Sequence, residues 1–269
     1  MKIGICNEVF QSWSIEKTIA FISKLGYDGL EIAPFTLADS VDEIPLSKRE
    51  WIKQLSKENN IDIIGTHWLM VKPDGLSISS KDSDLRKKSS KYFEKLVKFT
   101  SDINGKIMVL GSPKQRSIGE GQTKEEVIEY FIEFIKGPLV QANDLGITIC
   151  LEPLAKNETN FVNSVTDAIS IIEKVNHPNL KLILDVKAMS DEKRPYDEII
   201  YEGRKYLAHF HANDENLLGP GFGNVDFAPI ISALKNIGYQ GYLSVEVFDF
   251  SPGPEEIAEK SIRYLKKFL

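Results

Sequence analysis

Short runs of apolar and β-branched residues recur along the chain, separated by longer segments in which apolar residues return at helical spacing. A strand buried on both faces reads as a short continuous apolar run, whereas a helix laid over a sheet repeats every 3.6 residues. The alternation therefore predicts repeated βα units. Strands are predicted over Lys2–Cys6, Gly29–Ile32, Asp62–Thr66, Lys106–Leu110, Thr148–Leu151, Lys181–Leu184, Leu207–Phe210 and Tyr242–Val245, eight in all. Amphipathic helices are predicted over Ser14–Leu25, Ser47–Asn59, Asp84–Ile103, Lys124–Leu145, Ser164–Val175, Phe227–Ile237 and Glu255–Phe268. Ser190–Glu202 carries the least regular helical pattern.

Local signals support these boundaries. Ser14 stands where a side-chain cap would start the first helix, and Thr123 with Glu126 three positions later spells a capping box. Gly26, Gly105, Gly146 and Gly238 follow the last apolar turns, where a left-handed residue is easiest to place.

Parallel strands joined by helices can form an open doubly wound sheet or a closed barrel. The chain has 269 residues, close to the roughly 250 a (β/α)8 barrel needs. No Gly-rich phosphate fingerprint follows an early strand, as an open nucleotide-binding sheet would require. No linker or composition shift interrupts the rhythm, so residues 1–269 are expected to form a single (β/α)8 TIM barrel domain.

Hydrophobic residues make up 42% of the chain, enough to bury a sizeable core rather than remain disordered. The net charge of -6 offers no field to draw the protein to nucleic acid or an anionic membrane. Cys6 and Cys150 lie inside apolar runs and read as free, buried thiols. The chain turns polar directly after its first few residues, and no apolar run approaches the ~18 residues that span a bilayer. A cytoplasmic protein is the expectation, and a homodimer or a homotetramer is compatible with the sequence.

The candidate chemistry lies where the apolar runs stop. In a parallel barrel the C-terminal strand ends face one common site, and here the runs end in Glu31, His67, Gly111, Glu152, Asp185, His211 and Glu246. Glu152, Asp185, His211 and Glu246 come from four consecutive units and should point inward. Alternation then puts Cys150, Ile183, His209 and Ser244 on the same face one layer deeper. Three carboxylates crowded around one imidazole repel each other unless a cation sits among them. Oxygen-rich ligation with one nitrogen suits one divalent ion, Mn2+, Mg2+ or Co2+, with Zn2+ also compatible.

These residues resemble the xylose-isomerase-like sugar isomerase/epimerase barrels, nearest to the ketose 3-epimerases. The resemblance is carried by Leu151-Glu-Pro-Leu followed by Asn157-Glu-Thr-Asn-Phe-Val-Asn, by Leu182-Ile-Leu-Asp-Val-Lys-Ala-Met, by His209-Phe-His-Ala-Asn-Asp with Gly219-Pro-Gly-Phe-Gly, and by Val245-Glu-Val-Phe. It covers the second half closely and the first half only through barrel rhythm. It implies that Glu152, Asp185, His211 and Glu246 bind the metal, that Glu152 and Glu246 also exchange protons with substrate, and that Glu158 holds the substrate near the reacting carbons. Two departures bear on the substrate: Ala188 and Leu217 stand where the family carries a histidine and an arginine that grip it.

Around this set, Lys187 is a candidate cation for a substrate phosphate or carboxylate. Arg116, after the fourth strand, is a second candidate for an anionic substrate group, with a loop salt bridge as its alternative. His67 faces the metal, binds a sugar hydroxyl or is a satisfied barrel-core residue, and His209 should orient a ligand from beneath His211. Trp68 and Phe248 are candidates for the pocket wall, whereas Trp13 reads as helix packing.

The expected activity is a metal-dependent isomerase or epimerase acting on a small polyhydroxy carbonyl substrate, moving a proton next to the carbonyl through a metal-stabilised enediolate. A lyase or dehydratase on an inositol-like or keto-acid substrate would use the same site. A non-catalytic sugar-binding relative is suggested by Ala188 and Leu217. A nuclease resembling abasic-site endonucleases would need more than the four histidines present, and a basic face.

Overall fold

In the computed structural model, which describes residues 1–269, the predicted apolar runs form eight strands. They are β1 (Lys2–Cys6), β2 (Gly29–Ile32), β3 (Asp62–Thr66), β4 (Ile107–Leu110), β5 (Thr148–Leu151), β6 (Leu180–Asp185), β7 (Leu207–Ala212) and β8 (Tyr242–Val245). All neighbours pair in parallel and in sequence order, and β1 pairs with β8, which closes the barrel. Two strands run further than their apolar pattern. β6 continues to Asp185 and β7 to Ala212, because the ladder pairs Asp185 with His211 through backbone groups that are indifferent to side-chain polarity.

Ten helices surround the strands: α1 (Ile15–Leu25), α2 (Leu46–Glu58), α3 (Ser83–Asp102), α4 (Pro113–Arg116), α5 (Lys124–Leu145), α6 (Val165–Val175), α7 (Val186–Asp191), α8 (Tyr196–Gly203), α9 (Phe227–Asn236) and α10 (Pro254–Leu265). Ser14 caps α1 by accepting from the Lys17 N–H, and both arms of the Thr123–Glu126 capping box are made. The irregular stretch after β6 is two short helices. Lys193 adopts a left-handed φ of 52°, and Pro195 disfavours a helical conformation at Arg194, so α7 cannot run into α8. At the end of α3 the left-handed residue is Asn104, with φ 69°, not the expected Gly105. Gly105 is instead required for close approach, since a Cβ there would lie 3.0 Å from the Gly65 Cα.

Most of the core fills the space between sheet and helices, where Phe93, Phe131, Phe134, Phe161 and Phe227 are fully enclosed. Burying each such side chain is worth about 1.5–3 kcal/mol, so this shell holds the strand ends in fixed register. A smaller cluster of Val109, Cys150 and Ile183 lies apart from it. Both cysteines are free and buried, as expected, and burial pushes the Cys6 thiol up to about 11.

Candidate active site

The four expected ligands converge at the C-terminal ends of β5 to β8. Asp185 ends β6 and His211 lies one residue from the end of β7, while Glu152 and Glu246 directly follow β5 and β8. The Glu152 N–H donates to the Leu110 carbonyl and the Glu246 N–H to the Ala212 carbonyl, at 3.2 and 3.3 Å. The neighbouring strands thus still fix both glutamates. One ligand atom from each of the four residues lies within 4.8 Å of the others, and all four are buried.

His211 Nδ1 lies 3.0 Å from Glu246 Oε2 and 3.7 Å from Glu152 Oε1. Neither His211 Nδ1 nor Glu246 Oε2 has a hydrogen-bond partner. Orphaned buried polar atoms facing one another are costly. Together with the donor set, three carboxylates and one imidazole nitrogen, they fit a divalent cation that would satisfy all of them at once.

Three of the four are also held from behind. Asp185 accepts from the Ala188 N–H at 2.8 Å and from the Asn213 side-chain amide. Glu246 Oε1 accepts from the Trp68 indole N–H at 2.9 Å. Glu31, at the end of β2, lies fully buried with its carboxylate 2.8 Å from His209 Nε2 and 3.2 Å from His211 Nε2.

This crowding separates the two glutamates electrostatically. Burial pushes Glu152 up to about 7, with Glu246 and Asp185 adding to the shift and His211 opposing it. Burial acts on Glu246 in the same direction, but His211, His67 and Lys187 outweigh it and hold that carboxyl down to about 2. His211 is raised well above the usual imidazole range: burial opposes its charge, and Glu246 and Glu31 together overcome that penalty. His209 is lowered, mainly by burial.

The outer residues divide. Lys187 does return to the site, but its Nζ is already engaged, 2.9 Å from Glu158 Oε1 and 3.5 Å from the centre of the Phe248 ring. Glu158 also accepts from the Ala155 N–H at 3.2 Å. Trp68 stacks on Phe248 with ring centres 6.3 Å apart and leans on Phe35, an aromatic group joined to the cluster through the Trp68–Glu246 bond. Trp13 packs between Phe10 and Phe21, as its helix reading required.

Two expectations need correction. Arg116 does not present a cation to substrate: it is fully buried, and its guanidinium donates to the carbonyls of Leu110, Glu152 and Val162. The Leu110 and Val162 carbonyls also accept the backbone N–H groups of Glu152 and Leu154, and Arg116 adds a second donor to each and supplies one to the Glu152 carbonyl. It therefore braces the backbone that carries Glu152. His67 is fully enclosed as well. Its Nε2 lies 2.6 Å from Glu8 Oε2, while its Nδ1, 3.7 Å from Glu31 Oε1, has no hydrogen-bond partner, so the ring is buried among carboxylates and is not turned to a substrate hydroxyl.

The sequence reading gave no role to Glu8, in the short turn after β1, or to Glu31. Glu31 had a visible signal, an acid inside the apolar run Gly-Leu-Glu-Ile, whereas Glu8 had none. Leu217 lies at the rim with a left-handed φ of 70°, and its carbonyl accepts from the Phe248 and Asp249 N–H groups. Its backbone holds the segment that carries Phe248, while its side chain is exposed.

Comparison with known proteins gives a consistent picture. Residues 19–268 match the family model described as xylose isomerase-like TIM barrel, so the likeness extends well into the first half of the chain. The D-psicose 3-epimerase of Agrobacterium fabrum is 27% identical over 256 residues, covering 92% of this chain and 85% of that protein. The 3-dehydro-D-guloside 4-epimerase of Escherichia coli is 22% identical over 278 residues, covering 99% of both. Among solved structures, D-psicose 3-epimerase with D-tagatose from Clostridium cellulolyticum H10 superposes with a TM-score of 0.88 at 24% identity, over 100% of this chain and 99% of that one. No helix of the protein is long and apolar enough to cross a membrane.

Proposed function

We propose, from the premise that the chain belongs to the xylose isomerase-like TIM barrel family, that it is a sugar epimerase inverting a hydroxyl-bearing carbon next to a ketone. Its relatives are named for inversion at carbon 3 of a ketose and at carbon 4 of a 3-dehydro sugar. Both names describe a carbon beside a carbonyl, and that shared position is what carries over. The observation that supports the reading best is the pair of buried glutamates, Glu152 and Glu246, standing within one cluster with Asp185 and His211.

Glu152, Asp185, His211 and Glu246 would hold one divalent cation, with Mn2+, Mg2+ or Co2+ as the expected class and Zn2+ also compatible. When bound, the cation supplies Lewis-acid polarisation of the carbonyl and neutralises charge as the adjacent proton leaves. The chain's own residues move that proton. One of Glu152 and Glu246 accepts it from one face of the carbon, and the other returns a proton to the opposite face, which inverts the centre. Glu158 and Lys187 sit as a pair beside this cluster, where Glu158 can accept from a substrate hydroxyl and Lys187 can donate to one. Trp68 and Phe248 offer an apolar face to the carbon chain.

The charge arrangement argues for an uncharged substrate. The two strand-end cations that might have met a phosphate are committed, Lys187 to Glu158 and Arg116 to backbone carbonyls. A free polyhydroxy ketone fits better than its phosphate ester.

The test is incubation of Mn2+-loaded protein with a panel of free ketoses in deuterated water. The expected product is an epimer carrying deuterium at the inverted carbon. In the Glu152→Gln and Glu246→Gln variants turnover should fall by about 10^2- to 10^4-fold. Near-normal turnover in either variant, or a product that has lost water or a carbon–carbon bond, would end this reading.

A further inference from the structure

Glu31 is a buried carboxylate that proton transfer does not use. We infer that it is a positioning residue for the metal centre: reaching from β2 to β7, it holds the His211 ring with Nε2 protonated, so that the lone pair of Nδ1 faces the cation. The inference rests on the proposed metal reading of the same site.

β2 and β7 are not neighbours in the barrel, so the contact between Glu31 and His211 crosses the interior instead of following a ladder. Strand alternation puts His209 and His211 on the same face of β7, with ring centres 5.2 Å apart and planes at 79°. Glu31 takes both of them. Its Oε2 lies 2.8 Å from His209 Nε2, and its Oε1 lies 3.2 Å from His211 Nε2. The glutamate is completely excluded from solvent, so these two rings, the nearby His67, 3.7 Å away, and the Cys6 thiol are the cationic or donor groups that face its charge.

An ionised carboxylate only accepts hydrogen bonds, and a neutral imidazole carries one N–H and one lone pair. The nitrogen facing Glu31 must therefore bear the proton. Once a cation has displaced the second proton of His211, this leaves the Nδ1 lone pair directed at the cluster, where that atom has no other hydrogen-bond partner and lies 3.0 Å from Glu246 Oε2. The other tautomer would set a lone pair against the Glu31 carboxylate and aim an N–H at the cation. A glutamine in place of Glu31 could accept from only one of the two imidazoles and would donate to the other, so the hold that keeps both Nε2 atoms protonated would be lost.

A merely structural role, filling space and satisfying His209, would leave the tautomer of His211 open. Two measurements separate the possibilities. The first uses wild-type protein with 15N-labelled histidine, loaded with diamagnetic Mg2+ or Zn2+. His211 should resonate as the Nε2–H tautomer with Nδ1 shifted by the metal. The second compares Mn2+ affinity by calorimetry in wild type and Glu31→Gln, with circular dichroism to establish that the variant is folded. The variant should bind Mn2+ about 10- to 100-fold more weakly.

A His211 bound through Nε2 would overturn the inference while leaving the metal reading intact. So would a folded Glu31→Gln variant with unchanged affinity. If no added cation shifts the wild-type His211 resonances at all, the metal reading itself fails, and the inference with it. The first measurement needs no variant and decides the matter even where Glu31→Gln does not fold.

Discussion

Trp68 donates its indole N–H to Glu246 Oε1 at 2.9 Å from a backbone in the left-handed region, with φ 50°. That conformation is unfavourable for a bulky aromatic residue and persists only where surrounding structure enforces it. Here the ring is stacked on Phe248 and leans on Phe35, and the bond it makes divides the labour of one carboxylate. Oε1 is held by the indole, while Oε2, free of any hydrogen bond, points to His211 Nδ1. One oxygen is thus anchored and the other is free for the cluster.

Removing only the donor tests that division. Trp68→Phe keeps an aromatic face against Phe248 but frees Glu246 Oε1. A hydrogen bond to a charged group is worth about 1.5–3 kcal/mol, so kcat should fall about 10- to 100-fold with a smaller change in KM. Steady-state kinetics beside a thermal melt checks this. A variant with wild-type kcat would show that the indole plays no part in orienting the glutamate.

The raised carboxyl of Glu152 sets how the empty site responds to pH. Burial pushes it up to about 7, so below that pH the metal-free protein holds a proton that a cation must displace. His211, raised well above the usual range, adds a second such proton. Affinity for Mn2+ should therefore weaken as pH falls through about 7 and strengthen above it, with protons released on binding. Calorimetry at about pH 6 and about pH 8, in buffers of different ionisation enthalpy, measures both effects. Affinity independent of pH, with no proton release, would contradict the arrangement.

Because Lys187 is paired with Glu158 and Arg116 with backbone carbonyls, a phosphorylated ketose should be a poorer substrate than its free counterpart. Comparing kcat/KM for matched pairs tests the point. Preference for the phosphate ester would mean that one of these cations is released on binding.

Much of this was readable from residue order, and the limits have a physical cause. A strand's side chains alternate, so once a run such as Leu-Ile-Leu-Asp was recognised, the inward direction of Asp185 followed, and likewise for His211. The same rule was available for Glu31, yet the strand pattern cannot say which residue lies opposite across a closed barrel. His67 directly follows β3 and Arg116 ends the short helix α4, where side-chain direction depends on tertiary partners. Glu8 captured the first, and three backbone carbonyls captured the second. Lys187 fell between these cases: its return to the site was foreseen, but its pairing with Glu158 was not.

The central claim is that Glu152, Asp185, His211 and Glu246 together hold a single divalent ion. Elemental analysis of the chelator-treated protein, reloaded with Mn2+ and freed of excess, tests it directly beside the His211→Ala variant. The account predicts one ion per chain in the wild type and none retained in the variant. A wild-type protein that retains no ion, or a folded variant that still retains one, would contradict it.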